Sequence, residues 1–116
     1  MLTIPVNYQI YLFKIPQDMR KSFDGLLGLV QTDSSLKPFS GCYFVFLNKR
    51  KDKMKVLFWE KGGFCLFFKR LEQGVFKLPD KGLDVPVLEV DSLILQMIIE
   101  GVEITNLKRH KRYNIS

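Results

Sequence analysis

The sequence predicts an α+β fold, in which an antiparallel β-sheet of about four to five strands carries two packed helices. Three observations support this prediction. Short segments rich in aromatic and β-branched residues are separated by turn signals, which is typical of strands. Two other segments space their apolar residues with helical periodicity. The chain has 116 residues, 47% of them hydrophobic, which is enough material for the core of one domain.

The N-terminal third of the chain predicts a strand followed by a helix. Residues 8–14 form the strand, and Pro16 ends it. Asp18 is expected to be the N-cap of a helix that extends to about Gln31. The apolar residues that share one face of this helix are Met19, Phe23, Leu26, Leu27 and Val30.

The middle of the chain predicts a meander of three antiparallel strands. Residues 42–47 and 55–60 flank a basic loop, and the glycine pair at 62 and 63 turns the chain back into residues 64–71. Aromatic side chains occur on both faces of these strands. Because such strands are usually buried on both sides, the sheet is expected to be covered on both faces.

The C-terminal third predicts a second helix. Residues 74–78 are expected to form a short edge strand, and residues 87–90 an extended segment. Asp91 or Ser92 caps a helix that ends near Glu100. The chain is therefore predicted to be one domain, residues 1–106, followed by a basic C-terminal tail, residues 107–116.

Positive charge is concentrated in two short segments. The formal net charge is +6; residues 49–55 carry five bases and one acid, and residues 108–112 carry four bases. The rest of the chain is therefore slightly acidic. Such segments commonly face phosphates, although they also occur as ordinary solvated loops and tails.

The residues that could bind a metal or a cofactor are few. Cys42 and Cys65 lie in strand-like runs and are expected to be buried thiols, with a disulfide as the alternative if their strands pair. His110 alone could join them, which is too few ligands for a metal site. The glycine pair at 62 and 63 lacks the residues of a phosphate-binding loop. No cofactor and no metal are expected.

The apolar runs are too short for a membrane span. They extend over about five residues, whereas a spanning helix needs about twenty. The N-terminus also lacks the pattern of a signal peptide. These features predict a soluble cytoplasmic protein without a membrane partner.

Three blocks of the sequence resemble one known family. They are PQDMRKSFDGL at residues 16–26, PFSGCYFVFLN at 38–48, and GFCLFFKRLEQGVF at 63–76. The second block continues through Arg50, Asp52, Lys55 and Leu57 to Trp59. In this order they resemble the TnpB-type accessory proteins, encoded by the second reading frame of the sixty-six family of bacterial insertion sequences. The resemblance covers about residues 8–78.

The resemblance implies a protein that assists a separate transposase in moving a bacterial element. It does not imply an enzyme. Three carboxylates lie within or beside the family blocks, but Asp18 is expected to cap a helix, Asp24 to lie on its surface, and Asp52 to offset the basic loop. DNA strand transfer typically requires carboxylates clustered around metal ions. Catalytic residues are therefore not predicted.

DNA binding is the preferred interpretation of the basic residues. A basic hairpin can contact phosphates or enter a groove, and the start of a helix favours anions. The candidate DNA-binding residues are Arg20, Lys21, Asn48, Lys49, Arg50, Lys51, Lys53, Lys55, Lys69 and Arg70. The tail bases would add affinity without sequence choice.

The alternative is a protein-interaction module that binds the transposase, or forms a homodimer, without touching DNA. Aromatic side chains dominate the energetics of interfaces, so Tyr43, Trp59 and Phe68 are its candidate residues. The simpler interpretation places all three in the core. The two functions differ in one structural respect: DNA binding expects the hairpin bases and the bases near the first helix to form one continuous positive surface.

Overall fold

The computed structural model describes residues 2–38, 41–79 and 85–101. Over these residues the chain forms five strands and two helices. In chain order they are β1 (Gln9–Phe13), α1 (Phe23–Gln31), β2 (Cys42–Leu47), β3 (Lys53–Glu60), β4 (Gly63–Arg70), β5 (Val87–Val90) and α2 (Ser92–Glu100). The α+β class is confirmed.

The five strands form one open sheet in the order β4-β3-β2-β1-β5. The β2–β3–β4 meander is antiparallel, as predicted, and β5 pairs antiparallel with β1. The β1–β2 pair is parallel, with Gln9 opposite Cys42, so the expectation of an antiparallel sheet was wrong for this pair. The connection between the two strands explains this. It contains α1 and returns the chain to the end of the sheet at which β1 begins, as in a β-α-β unit, so that β2 runs in the same direction as β1.

Both faces of the sheet are buried. Successive strand residues point to opposite sides, and each side packs into its own core cluster. On one face, here the α2 face, Ile10, Tyr43 and Val45 pack with α2. On the other, the α1 face, Phe44 and neighbouring aromatic side chains pack with α1. The two helices therefore lie on opposite sides of the sheet, which confirms that both faces are covered.

Helix α1 begins later than the sequence predicts. Its N-cap is Ser22, whose side chain makes no capping hydrogen bond, so the assignment of Asp18 as the cap was wrong. Met19 consequently lies before the helix. Leu26 and Val30 are fully buried, whereas Phe23 is 42% exposed. The periodicity located the buried side of the helix but overestimated its length by one turn.

Helix α2 agrees with its prediction. The Asp91 side chain accepts a hydrogen bond from the backbone N–H of Ile94 at 2.8 Å. Gly101 follows the helix in the left-handed conformation, with φ +80°, which glycine adopts without strain. Leu95, Ile98 and Ile99 are the buried residues.

Residues 74–78 do not form the predicted edge strand. They are without regular structure, and the Phe76 side chain instead fills the α2-face core. Cys42 and Cys65 are free, half-buried thiols. Strand β3 separates their strands, so the alternative of a disulfide was wrong. Of the helices described, none is long and apolar enough to cross a membrane.

Candidate nucleic-acid interface

The loop between β2 and β3, residues 48–52, is held in one conformation by a single amide side chain. Asn48 Oδ1 accepts hydrogen bonds from the backbone N–H groups of Asp52 and Lys53, and its Nδ2 donates to Asp52 Oδ1 at 2.6 Å. Asn48 was a candidate DNA-binding residue, but its amide is used within the loop. The flanking Lys49 and Arg50 are exposed on this ordered turn.

The same loop is also anchored from the C-terminal side. The backbone N–H of Leu71 donates to the Asp52 carbonyl, and that of Phe76 donates to the Lys51 carbonyl, both at 2.7 Å. Phe76 is itself buried. Residues 71–76 therefore brace the loop from the α2 face, which limits its conformational freedom and holds its basic side chains in place.

Residues 17–21 form a second loop, here the pre-helix loop, beside the first one. The Gln17 backbone N–H donates to the Leu47 carbonyl at 2.8 Å, which joins this loop to the end of β2. Within the loop, Arg20 donates from Nη2 to Asp18 Oδ2 at 2.6 Å, and its backbone N–H donates to Asp18 Oδ1. Arg20 therefore pairs with Asp18 in the loop, ahead of the helix that begins at Phe23.

A buried lysine fastens the pre-helix loop to the sheet. Lys55 Nζ donates to the carbonyls of Met19 and Lys21, each at 2.7 Å, and lies 5.0 Å from the centroid of the Phe68 ring. Only 7% of Lys55 is exposed. Lys55 therefore does not face phosphates as predicted, because its ammonium group is used to hold the loop.

Together these contacts create an open recess of about 600 Å³, here the basic depression. Its lining includes four basic side chains, Arg20 from the pre-helix loop and Lys49, Arg50 and Lys53 from the hairpin. The other lining residues are Gln17, Asp18, Met19, Asn48 and Phe68. With Asp18 as the single acid, the lining carries a formal charge of +3.

Hydrogen bonds lower the pKa values of the two acids of this region. Side-chain hydrogen bonds from Arg20 hold the pKa of Asp18 well below its usual value. The side-chain hydrogen bond from Asn48 lowers the pKa of Asp52 in the same direction. The Arg20 side chain is 91% exposed, so the guanidinium donors that Asp18 does not use can reach an anion.

Besides the buried Lys55, four of the predicted bases do not line the basic depression. Lys51 is exposed and Lys21 is half-buried, but neither lines it. Lys69 points to the α2 face, where its Nζ donates to the Ile99 carbonyl at 2.8 Å. Arg70 pairs with Glu72 at 2.8 Å on the surface. The hairpin and the pre-helix loop thus bring together only some of the expected DNA-binding residues.

The three aromatic candidates for a protein interface have different environments. Tyr43 is buried, and its hydroxyl donates to the Thr3 carbonyl at 2.9 Å, so it is not part of the surface. Trp59 is half-buried and packs edge-on against Phe64. Phe68 is 52% exposed and lines the basic depression.

The sequence contained partial signals for this arrangement. Lys53, Lys55 and Leu57 alternate along β3 and so share one face, which could have placed Lys55 against the apolar α1 side. Nothing in the local sequence indicated that Gln17 and Asp18 would lie beside the hairpin. The bases of residues 108–112 lie outside the described residues.

The described parts of the chain contain no group of three His, Cys, Asp or Glu side chains placed to hold a metal ion. The charged groups of the basic depression are four bases and one exposed carboxylate. Such a lining can bind anionic groups through charge-assisted hydrogen bonds.

Comparison with known proteins identifies related sequences. The model of the family described as IS66 Orf2 like protein matches residues 8–109. A relative from Sinorhizobium fredii, uncharacterized protein y4hO, is 35% identical over 103 residues, which cover 89% of this chain and 88% of the relative. Uncharacterized protein y4jC from the same strain is 31% identical over 94 residues, covering 81% and 79%. No solved structure matches the chain.

Proposed function

Since this chain belongs to the IS66 Orf2-like family, whose members have an accessory role in transposition, we propose that it works by binding DNA through the basic depression. The observation that carries the proposal is the convergence of two segments distant in sequence. Arg20 joins Lys49, Arg50 and Lys53 around one recess. Three hairpin bases and one base before the first helix thereby share one recess, which supports DNA binding although Lys21 and Lys51 lie outside it.

The rigidity of the two loops supports this role. Binding costs less conformational entropy when the contacting groups are already ordered. The Asn48 amide fixes the hairpin loop, and Lys55 fixes the pre-helix loop, so neither has to fold around the DNA. The ordered loops therefore fit a binding factor that works beside the transposase.

The test compares labelled duplex from the element ends with scrambled duplex across a range of salt concentrations. If the four bases of the depression neutralise phosphates, the logarithm of the binding constant falls with the logarithm of salt with a slope of about −3.6. The double variant Lys49→Ala/Arg50→Ala is expected to make this slope shallower by about two. A difference between the two duplexes would add sequence specificity.

The matched control is the double variant Lys37→Ala/Lys77→Ala, which removes the same charge from exposed lysines outside the depression. It is expected to retain most of the slope and affinity. Equal losses in the two double variants would assign binding to net charge rather than to the depression. Absence of binding at low salt would overturn the DNA-binding function.

A protein-interaction module is the second candidate function. Of the candidate aromatic residues, Phe68 is exposed and Trp59 is half-buried. Such side chains can anchor a transposase or a second copy. Retention of the wild-type protein by immobilised transposase without DNA, and its loss in a Trp59→Ala variant, would favour this function.

A further inference from the structure

Phe68 has a position that phosphate binding alone does not require. Its strand, β4, is an edge of the sheet, and Phe68 stands opposite Lys55 of β3. Phe64 and Leu66, on the same face of β4, pack against the α1-side core. Phe68 lies farther along the strand and remains 52% exposed. An aromatic ring therefore stands among the bases of the depression.

The ring is supported from within the protein. Lys55 Nζ lies over the ring at 5.0 Å from its centroid, and the same ammonium group is fixed by the Met19 and Lys21 carbonyls. A cation in this position is attracted to the face of an aromatic ring. The contact orients Phe68 while leaving about half of its surface accessible.

We propose that the basic depression binds single-stranded DNA, with a base stacked on Phe68 and the adjoining phosphates on Arg20, Lys49, Arg50 and Lys53. Proteins that bind single strands combine a positively charged groove with exposed aromatic rings on which bases stack. The inference rests on the DNA-binding function proposed above and specifies its substrate.

The shape of the site favours a single strand over a duplex. In a duplex, the faces of the bases are covered by their neighbours, and a protein reaches them only by unstacking or flipping a nucleotide. The depression is an open recess, and the half-exposed Phe68 ring lies among its basic side chains. A flexible single strand can offer a base face and its phosphates together.

The experiment measures binding of the whole protein to three probes by fluorescence anisotropy. They are an oligothymidine of about twelve nucleotides, an abasic strand of the same length, and a duplex. The abasic strand keeps every phosphate but has no base to stack. The wild-type protein is expected to bind oligothymidine about tenfold more tightly than the abasic strand. Oligothymidine should also bind more tightly than the duplex.

Three variants complete the test. Phe68→Ala is expected to bind the thymidine and abasic strands equally, whereas Phe68→Trp keeps the preference. Phe23→Ala removes an exposed aromatic side chain outside the depression and should behave as the wild type. Circular dichroism of each variant checks that it is folded.

The outcomes separate the two proposals. If the wild type binds the abasic strand or the duplex as well as oligothymidine, the stacking inference is overturned while the DNA-binding function stands. Retention of the preference in Phe68→Ala also overturns the inference. If the wild type binds none of the probes, both proposals fail.

Discussion

The two faces of the sheet differ at the end that carries the hairpin loop. On the α2 face, Phe76 fills the core and Lys69 donates to the last turn of α2 through the Ile99 carbonyl. On the α1 face, Lys55 of the adjacent strand β3 donates instead to the carbonyls of Met19 and Lys21. The first face is closed by apolar side chains and a helix end, whereas the second is bordered by two polar loops.

This difference shows that a basic residue on a strand acquires its role from what covers it. Lys55 and Lys69 were both candidates for DNA contact, and both instead hydrogen-bond to backbone carbonyls. The basic depression lies on the α1 face, because loops present Arg20, Lys49 and Arg50 there. Substitutions that affect one face and leave the other unchanged test this comparison.

The largest expected effect is the loss of a ring from the buried part of the α1 face. Phe44→Ala should lower the free energy of unfolding by about 3–5 kcal/mol, because the truncation leaves a cavity in a closely packed core. Phe68→Ala, on the same face, should cost no more than about 1 kcal/mol because Phe68 is half-exposed. Urea denaturation measures both. Equal costs would show that the depression is as much a part of the core as Phe44.

Tyr43, on the α2 face, should make the free energy of unfolding depend on pH in the alkaline range. Burial raises the pKa of Tyr43 from 10.0 to about 12. The folded protein therefore keeps the phenol proton that the unfolded chain releases above its ordinary pKa. This contribution, of about 2–3 kcal/mol at most, is fully present below pH 10 and is lost as the pH rises through about 12.

Thermal unfolding of the wild type and Tyr43→Phe across this pH range measures the difference. The variant also loses the hydrogen bond to the Thr3 carbonyl, so it should be less stable than the wild type at neutral pH. The gap between the two proteins should close or reverse above pH 10. A gap that stays constant to pH 12 would mean that Tyr43 is not buried in solution.

The two lysines allow a direct comparison of the faces. Lys55→Met should lower the free energy of unfolding by about 1–3 kcal/mol, because the carbonyls of Met19 and Lys21 lose their buried donor. Lys69→Met removes one such bond and should cost about 1 kcal/mol. Only Lys55→Met should also weaken DNA binding, since it releases the pre-helix loop. Equal effects on DNA binding would contradict the assignment of the site to the α1 face.

The smallest effects concern the helix that covers each face. Asp91→Ala should destabilise the protein by about 1 kcal/mol, because the side chain caps α2. Ser22→Ala should change stability by less than about 0.5 kcal/mol, since its hydroxyl makes no capping bond to α1. Chemical denaturation of the two single variants checks the order. A larger loss for Ser22→Ala would show that α1 is capped in solution.

The sequence predicted some boundaries of the strands and helices correctly and misplaced others. The bounds of β2 agree fully, because Gly41 precedes a continuous apolar run and Asn48 follows it. The end of α2 agrees because Gly101 stops the helix locally. The start of α1 was misplaced. The Asp18 side chain is of a type that commonly caps helices, but here it forms a separate turn with Arg20. Local chemistry allows both structures, and the attachment of the loop to β2 and β3 selects one.

The candidate site was only partly predictable for a similar reason. The charge run at residues 49–55 identified the hairpin as basic, and the family blocks included Arg20. Phe68 was a candidate for the alternative protein interface, with the core as the simpler interpretation, and was not expected among the bases. Its place in the depression depends on the pairing of β4 with β3, where it stands opposite Lys55.

The sequence by itself located the five strands and the two helices, because periodicity, caps and turn residues act over a few neighbouring positions. It also carried the family blocks and the concentration of positive charge. It did not determine the start of α1 or the irregular structure of residues 74–78. Only the tertiary structure decided that β1 and β2 run parallel, that Lys55 is buried, and that Arg20 joins the hairpin. These outcomes depend on contacts between residues far apart in the chain, and such contacts are formed when the sheet and its two covering layers pack together.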